Sequence, residues 1–570
     1  MGREGQEQLA ELLKQWRPQD DREEITSLMS PLLQFAQTAT DPDAPTPRWT
    51  GSTCVLITYG DTVQRAGEPT LLTLSAFLNQ YLHPLAGVVH VLPFLQATSD
   101  GGFAVASHER IEAHLGDWEA LQTLGLGRTL MADLVLNHVS AAHPWVQQFR
   151  QRQEPGVHCV LAPDPQADWS QVVRPRSSAL LTPLQTNDGV IPVWTTFGPD
   201  QVDVDWSSDA VLQGFAQLLG RLVRHGVSWL RLDAVGYVWK EPGSPCIHHP
   251  RAHLLVSLLR ALLDQHHSSG VVVTETNVPE AENLSYLMPG DEAHIAYNFP
   301  LPPLLLEAVL RERPDLLNQW LERWPQLPDQ TTLLNFTASH DGIGLRPLEG
   351  LMEASRLEQL LANCERRGGL ISHRRLSDGG ERPYEINISW WAAMAGAGRD
   401  PRLHQRERFR LSQLLVIALP GIPAFYLPTL MASGNDEASF RSSGQRRDLN
   451  RERFDVEDLE RRLHDPHSDA QFTLQTVRHA MEVRATLPAF HPRASYACLS
   501  GSMADRAVII RRGKGADNLW AVHNFGTNRL NLDLRSLVNH THWCDRLQDA
   551  APVSTQLTLA PFAVHWFQPC

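Results

Sequence analysis

This chain of 570 residues contains no run of about 18 apolar residues, so a membrane-spanning helix is not expected. Positive charge is in deficit. Lys and Arg number 50 against 64 Asp and Glu, a formal net charge of −14. With no predominantly basic face in evidence, that balance argues against a nucleic-acid partner. Cysteine is scarce: the seven, at 54, 159, 246, 364, 498, 544 and 570, are scattered and odd in number. They form no CxxC pair and no Cys/His zinc spacing, so they read as reduced thiols in a cytoplasmic protein. The first residues, Met-Gly-Arg-Glu-Gly-Gln-Glu, are charged and lack an apolar signal core. Internal repeats and long low-complexity tracts are also absent. What is present is ample core: 42% of residues are hydrophobic and 20% charged, the proportions of a soluble globular protein.

Leu9, Leu12, Leu13 and Trp16 recur at helical spacing, and 25–39 reads as a second helix. A proline-rich linker, 41–47, closes this extension of about fifty residues. From Thr53 short apolar runs alternate with helical stretches. The expected strands are 54–59, 88–94, 129–137, 227–233, 271–275, 294–299, 332–337 and 422–427. Eight strands alternating with helices predict an α/β protein built on a (β/α)8 TIM barrel, here over 51–139 and 206–485. Residues 140–205 are too many for a simple connection and predict an inserted domain after the third strand. A second long excursion, 345–402, follows the seventh strand. Alternating strands at 519–525, 530–534 and 562–567 predict an all-β C-terminal domain over 486–570.

Four expected strand ends carry polar residues. Trp229-Leu230-Arg231-Leu232-Asp233 delivers an Arg and an Asp two residues apart, and strand periodicity points both the same way. A cation beside a carboxylate favours its ionised form, as a carboxylate nucleophile requires. Asp133-Leu134-Val135-Leu136-Asn137-His138, Thr274-Glu275-Thr276-Asn277 and Ala338-Ser339-His340-Asp341 follow the same logic. An isolated Arg-x-Asp is usually a structural ion pair. Four such segments at successive strand ends converge on the C-terminal face of the barrel, where barrel active sites form.

In this order the four segments resemble the conserved regions of the α-amylase superfamily, glycoside hydrolase family thirteen. The resemblance implies a retaining mechanism with two carboxyl groups about 5–5.5 Å apart. Asp233 would be the nucleophile, held ionised by Arg231, and Glu275 the general acid/base. Asp341 would be the third carboxylate, binding sugar hydroxyls, with His138 and His340 donating hydrogen bonds to the same sugar. Further segments are similar to the sucrose phosphorylase branch: Ile57-Thr58-Tyr59-Gly60-Asp61, Ser99-Asp100-Gly101-Gly102-Phe103, Ala234-Val235-Gly236-Tyr237 and His340-Asp341-Gly342-Ile343-Gly344. In that branch Asp100 and Arg447 would hold the distal hydroxyls of one glucosyl unit and Phe103 would pack on its ring. Arg174 and Arg176, in an Arg-Pro-Arg segment, together with Tyr237, Tyr384 and Glu385, would receive phosphate and the acceptor, Tyr384 on a mobile loop and Arg382 a further candidate.

The N-terminal extension, Val278-Pro279 after Thr276-Asn277, and the segment from Lys240 to His248 look like glucosylglycerate phosphorylases. This resemblance implies small-molecule substrates only: glucosylglycerate, phosphate, glucose 1-phosphate and glycerate. No cofactor and no metal are expected. Sucrose, sucrose 6′-phosphate and glucosylglycerol phosphorolysis are the alternatives within the branch. A plain α-glucosidase and a non-catalytic scaffold are the alternatives outside it.

Overall fold

The computed structural model describes residues 3–33, 48–267, 269–375, 380–538 and 540–570. The expected linker 41–47 and the later part of the helix expected over 25–39 lie outside these residues. Eight strands close into one barrel: β1 (Val55–Thr58), β2 (Val88–Val91), β3 (Thr129–Val135), β4 (Val227–Asp233), β5 (Val271–Thr274), β6 (Ile295–Tyr297), β7 (Thr332–Asn335) and β8 (Ile422–Tyr426). Every neighbouring pair is parallel, and β8 pairs with β1 to complete the ring. A closed parallel ring needs apolar side chains on both faces of each strand. Val55, Ile57, Met131, Trp229, Val273, Leu334 and Ala424 fill the interior. The alternate residues Leu56, Ala132, Leu230, Leu232, Val272 and Leu333 meet the surrounding helices.

This two-residue period decides where the polar residues go. In β4, Leu230 and Leu232 face the helical layer, so Trp229, Arg231 and Asp233 form an ascending stack inside the barrel. Trp229 plugs the floor, and the two charged residues stand above it. The register sets Asp133 of β3 beside Arg231 and Val135 beside Asp233.

Between β3 and the helix Asp209–Arg224 lie two short helices, the hairpin Leu181–Thr186/Gly189–Trp194, and a pairing of His138–Ser140 with Gln201–Asp203. After β7, the strand Leu370–Arg375 pairs antiparallel with Glu381–Asn387, which also pairs with Ile343–Gly344. Tyr384 therefore sits in a strand, not on the loop expected from sequence, because its backbone is hydrogen-bonded within this small sheet. At the C-terminus a six-stranded sheet runs from Tyr496–Cys498 through Ala507–Arg512, Leu519–Asn524, Val564–Pro569 and Trp543–Asp545 to Ala551–Val553.

Two thiols depart from the expected reduced state. Cys544 and Cys570 are joined in a disulfide, with Cα atoms 5.9 Å apart, while the other five cysteines are free. Antiparallel pairing of Trp543–Asp545 with Val564–Pro569 carries the chain end back beside Cys544. Sequence spacing alone gives no sign of that approach.

His523, on the strand Leu519–Asn524, is fully buried, and burial lowers its pKa to about 4. In the unfolded chain it would titrate near 6.5. Between those values the unfolded state binds more protons, so stability falls as pH drops from about 6.5 to 4, by roughly 3 kcal/mol for this residue. His523→Leu should accordingly lose less of its urea midpoint than the wild type between pH 7 and pH 4.5. Parallel losses in the two proteins would remove His523 from the acid response.

Candidate active site

The ends of the barrel strands surround an open-mouthed cavity with about 950 Å³ of empty space, solvent at the mouth included. Asp233 ends β4, Glu275 follows β5, and Asp341 follows β7 on the same rim; all three line the cavity. Arg231 lies directly beneath them, with 2% of its side chain exposed. Its Nη1 donates to Asp233 Oδ1 at 2.8 Å and also to Asp133 Oδ1, and its Nη2 is 3.9 Å from Glu275 Oε1. The other oxygen of Asp133 is 2.7 Å from His90 Nε2. Tyr297 and Phe103 close around the guanidinium at 5.6 and 5.7 Å.

Arg231 is thus not the private partner of Asp233 that the sequence suggested. One cation serves Asp133, Asp233 and Glu275. Burial pushes the Asp233 carboxyl well above its ordinary range; Arg231 opposes that, and the Glu275, Asp133 and Asp341 carboxylates add to it. Burial and Asp341 likewise raise Glu275. Two interacting carboxyls titrate as a unit, and a unit crowded in this way retains a proton above the usual carboxylate range. Asp233 accepts the direct hydrogen bond from Arg231, whereas Glu275 accepts only from the Ala234 backbone N–H at 3.2 Å. Asp233 is thus the carboxyl tied to the cation, and Glu275 the one tied only to a backbone amide.

Asp341 behaves differently. Burial raises its pKa, but Arg447, Arg231 and Arg451 outweigh burial and leave it below the ordinary value. Arg447 Nη1 lies 2.5 Å from Asp341 Oδ1. The turn that carries Arg447 is clipped to the Asp341 loop: Asn450 Nδ2 donates to the carbonyls of Ser339, His340 and Asp341, and Arg451 Nε donates to that of His340 at 2.9 Å. Glu385, expected at the acceptor position, lines the cavity and accepts from Arg447 through both oxygens, at 3.1 and 2.7 Å. It fixes the arginine. Gly342 makes room for this, since a Cβ there would lie 2.4 Å from Glu385 Cγ.

Beside this turn, Asp100 adopts φ 54 at the start of a tight turn of its own and accepts from Gln201 Nε2 at 3.0 Å. Gly101, at φ 61, is required there, because a Cβ would press on Arg451 and on the Tyr59 hydroxyl at 2.6 and 2.7 Å. Phe103 stacks on His340, with centroids 5.1 Å apart and 10° between planes. His138 Nε2 donates to the Phe103 carbonyl at 3.1 Å. Burial lowers the pKa of both His138 and His340, so both rings are neutral at pH 7.

Arg176 lines the cavity, its guanidinium over the rings of Phe197 at 5.7 Å and Tyr384 at 5.5 Å. Tyr237 lines the cavity nearby. Two expected members are not on the wall: Arg174 is half-buried outside it, and Arg382 is exposed on its strand. Arg174 and Arg176 flank a single proline, and only the second lines the cavity.

Several contributors were missed from sequence. Asp133 could have been found by pairing β3 with β4 in register. Arg451 stands four residues after Arg447, close enough to share its turn. Gln201 and Phe197 carry no local signal. Lys240 ties the loop after β4 to the inserted segment: its Nζ, almost fully buried, reaches Asp203 at 2.6 Å and donates to Asn137 Oδ1 at 2.7 Å.

A closed parallel barrel with carboxyls on three strand ends above one buried arginine is an α-amylase-type catalytic domain, and residues 79–342 match the family model described as alpha amylase, catalytic domain. At finer resolution the chain belongs to the glucosylglycerate phosphorylase family. It is 39% identical over 469 residues to the glucosylglycerate phosphorylase of Allomeiothermus silvanus, covering 82% of this chain and 84% of that protein. It is 34% identical over 525 residues to the Escherichia coli enzyme of the same name, covering 91% and 92%. Among solved structures, sucrose 6F-phosphate phosphorylase from Thermoanaerobacter thermosaccharolyticum superposes with a TM-score of 0.74 at 20% identity, covering 89% of this chain and 98% of that one.

Proposed function

We propose that this protein is a retaining phosphorylase that converts glucosylglycerate and inorganic phosphate into α-D-glucose 1-phosphate and glycerate. In the first step an Asp233 oxygen attacks the anomeric carbon, the bond to glycerate breaks, and Glu275 gives its proton to the departing oxygen. In the second, a phosphate oxygen attacks the same carbon, Asp233 leaves, and Glu275 takes back a proton from phosphate. Two inversions give retention. Asp341, Arg447 and Asp100 hold the glucosyl hydroxyls, and Phe103, stacked on His340, packs on the ring.

The observation that carries the reading is Arg176. It is a cavity-wall cation over two aromatic rings, with no carboxylate at ion-pair distance among the described residues. A hydrolase needs no cation where water attacks. Phosphate and the glycerate carboxylate both do, and they occupy that position in turn. The 34–39% identity to glucosylglycerate phosphorylases over most of the chain supports glycerate over fructose or glycerol as acceptor. We place the enzyme in the cytoplasm, in carbohydrate metabolism, where inorganic phosphate is abundant and glucose 1-phosphate is consumed.

The test is synthesis from glucose 1-phosphate with a panel of acceptors, followed by phosphorolysis. Glycerate should outperform glycerol and fructose by at least about tenfold, on the order of 1.4 kcal/mol of differential transition-state binding. Arg176→Ala should raise KM for phosphate and for glycerate together. A preference for fructose would refute the acceptor, and product release indifferent to phosphate would make the enzyme a glucosidase.

A further inference from the structure

The helices α1 (Arg3–Trp16) and α2 (Arg22–Leu33) take no part in the chemistry above, yet the inner end of α1 reaches a loop that does. Leu9, Leu13 and Trp16 of α1 are buried in the main core. Their neighbour is α3 (Pro250–His266), the barrel helix that begins immediately after the loop of residues 234–249. Trp16 meets Trp239 of that loop edge-on, with centroids 5.5 Å apart and planes at 78°. The Arg251 guanidinium covers both indoles, 5.0 Å from Trp239 and 5.5 Å from Trp16, and its Nη1 donates to the Trp16 carbonyl. The His249 ring also stacks near Trp239, with centroids 6.1 Å apart. Trp239 is clamped by all of these groups, and its clamp comes partly from outside the barrel.

The loop needs holding. Ala234, Cys246 and His248 all sit at positive φ, 50, 52 and 52, without being glycine. Such backbone persists only where its surroundings over-determine it. Much of the acceptor-side wall hangs from this loop. Tyr237 and His248 line the cavity from it. Its Gly243 N–H donates to the Asp168 carbonyl at 2.8 Å, and its Pro245 carbonyl accepts from the Val173 N–H at 3.0 Å, which holds the segment leading to Arg176. The glucosyl-side residues Asp100, Phe103, His340, Asp341 and Arg447 rest on other elements.

We propose that α1 is a brace for the acceptor subsite, with Trp16 as a positioning residue. It acts through Trp239 and Arg251 on Tyr237, His248 and Arg176. This inference rests on the phosphorylase reading, since it assigns Arg176 to phosphate and glycerate.

The experiment separates the two sides of the cavity. Hydrolysis of α-glucosyl fluoride in phosphate-free buffer needs only the glucosyl pocket and water. KM for glycerate in synthesis and KM for phosphate in phosphorolysis report the acceptor side. Trp16→Ala should raise both KM values at least tenfold while fluoride hydrolysis stays within about twofold, and Trp16→Phe should restore most of the loss. Arg251→Lys, which keeps the charge but not the planar stack, should shift the KM values the same way, and it serves as the test if Trp16→Ala does not fold. Unchanged KM values in a folded variant overturn the brace, as does a parallel loss of fluoride hydrolysis. A wild type that hydrolyses the fluoride but forms no glucose 1-phosphate from phosphate overturns the phosphorylase reading and this inference with it.

Discussion

Asp233→Ala and Asp233→Asn are expected to retain less than about a hundredth of wild-type turnover, and in practice several orders of magnitude less. In the proposed mechanism the residue forms the bond that carries the glucosyl unit between the two steps, so no other group replaces it. A loss of about 10⁴ corresponds to roughly 5.5 kcal/mol of transition-state stabilisation. The expected effect on stability has the opposite sense. Arg231 keeps Asp133 and its contacts to Tyr297 and Phe103, so the cation is not stranded when Asp233 is neutralised. Burial and three neighbouring carboxylates already oppose the ionised form of Asp233, and Asp233→Asn relieves that crowding. The thermal midpoint of the variant should equal or exceed that of the wild type. Residual activity above a hundredth would sink the nucleophile assignment, and a large drop in midpoint would show that the site is held together by Asp233 itself.

Glu275→Gln should nearly abolish phosphorolysis of glucosylglycerate, whose glycerate oxygen must be protonated as it leaves. With α-glucosyl fluoride, which needs no acid, the first step should survive in part. Azide, which needs no base, should then restore turnover and give α-glucosyl azide, the configuration that a double displacement demands. The pH profile supplies an independent check. Burial and Asp341 hold the Glu275 carboxyl above its ordinary range, so the acid form persists to higher pH than a free glutamate allows. The activity of the wild type on glucosylglycerate should fall on the alkaline side as that proton is lost. The variant acting on the fluoride should show no such limb from residue 275. Equal losses on natural and activated donors, with no azide product, would remove Glu275 from the acid/base role.

The barrel and the carboxyls on its rim were legible because they are written in short-range pattern. Each of the eight expected strands overlaps an observed one, and 227–233 matches β4 at both ends. Apolar runs of strand length bounded by turns and helices have few other solutions. A polar residue that closes such a run must lie at the strand end. The period of two residues then sets Arg231 and Asp233 on one face without knowledge of any partner. The secondary-structure state of Tyr384 was misjudged because its strand is stabilised by cross-pairing rather than by an apolar run.

What the sequence determined by itself is therefore the succession of strands and helices and the identity of the residues that crown them. Tertiary structure alone decided how charge is shared among those residues. Nothing local says that Arg231 must divide itself between Asp133 and Asp233, that Glu385 will take both hydrogen bonds of Arg447, or that Arg176 lines the cavity while Arg174 does not. Nor does spacing reveal that Trp16 reaches Trp239, or that Cys544 meets Cys570. Residue type and periodicity are properties of one segment and survive in the linear sequence. Ion pairing, shared burial and the resulting pKa shifts depend on distances of a few ångströms between segments up to hundreds of residues apart. Only the closed barrel and the elements packed around it fix those distances.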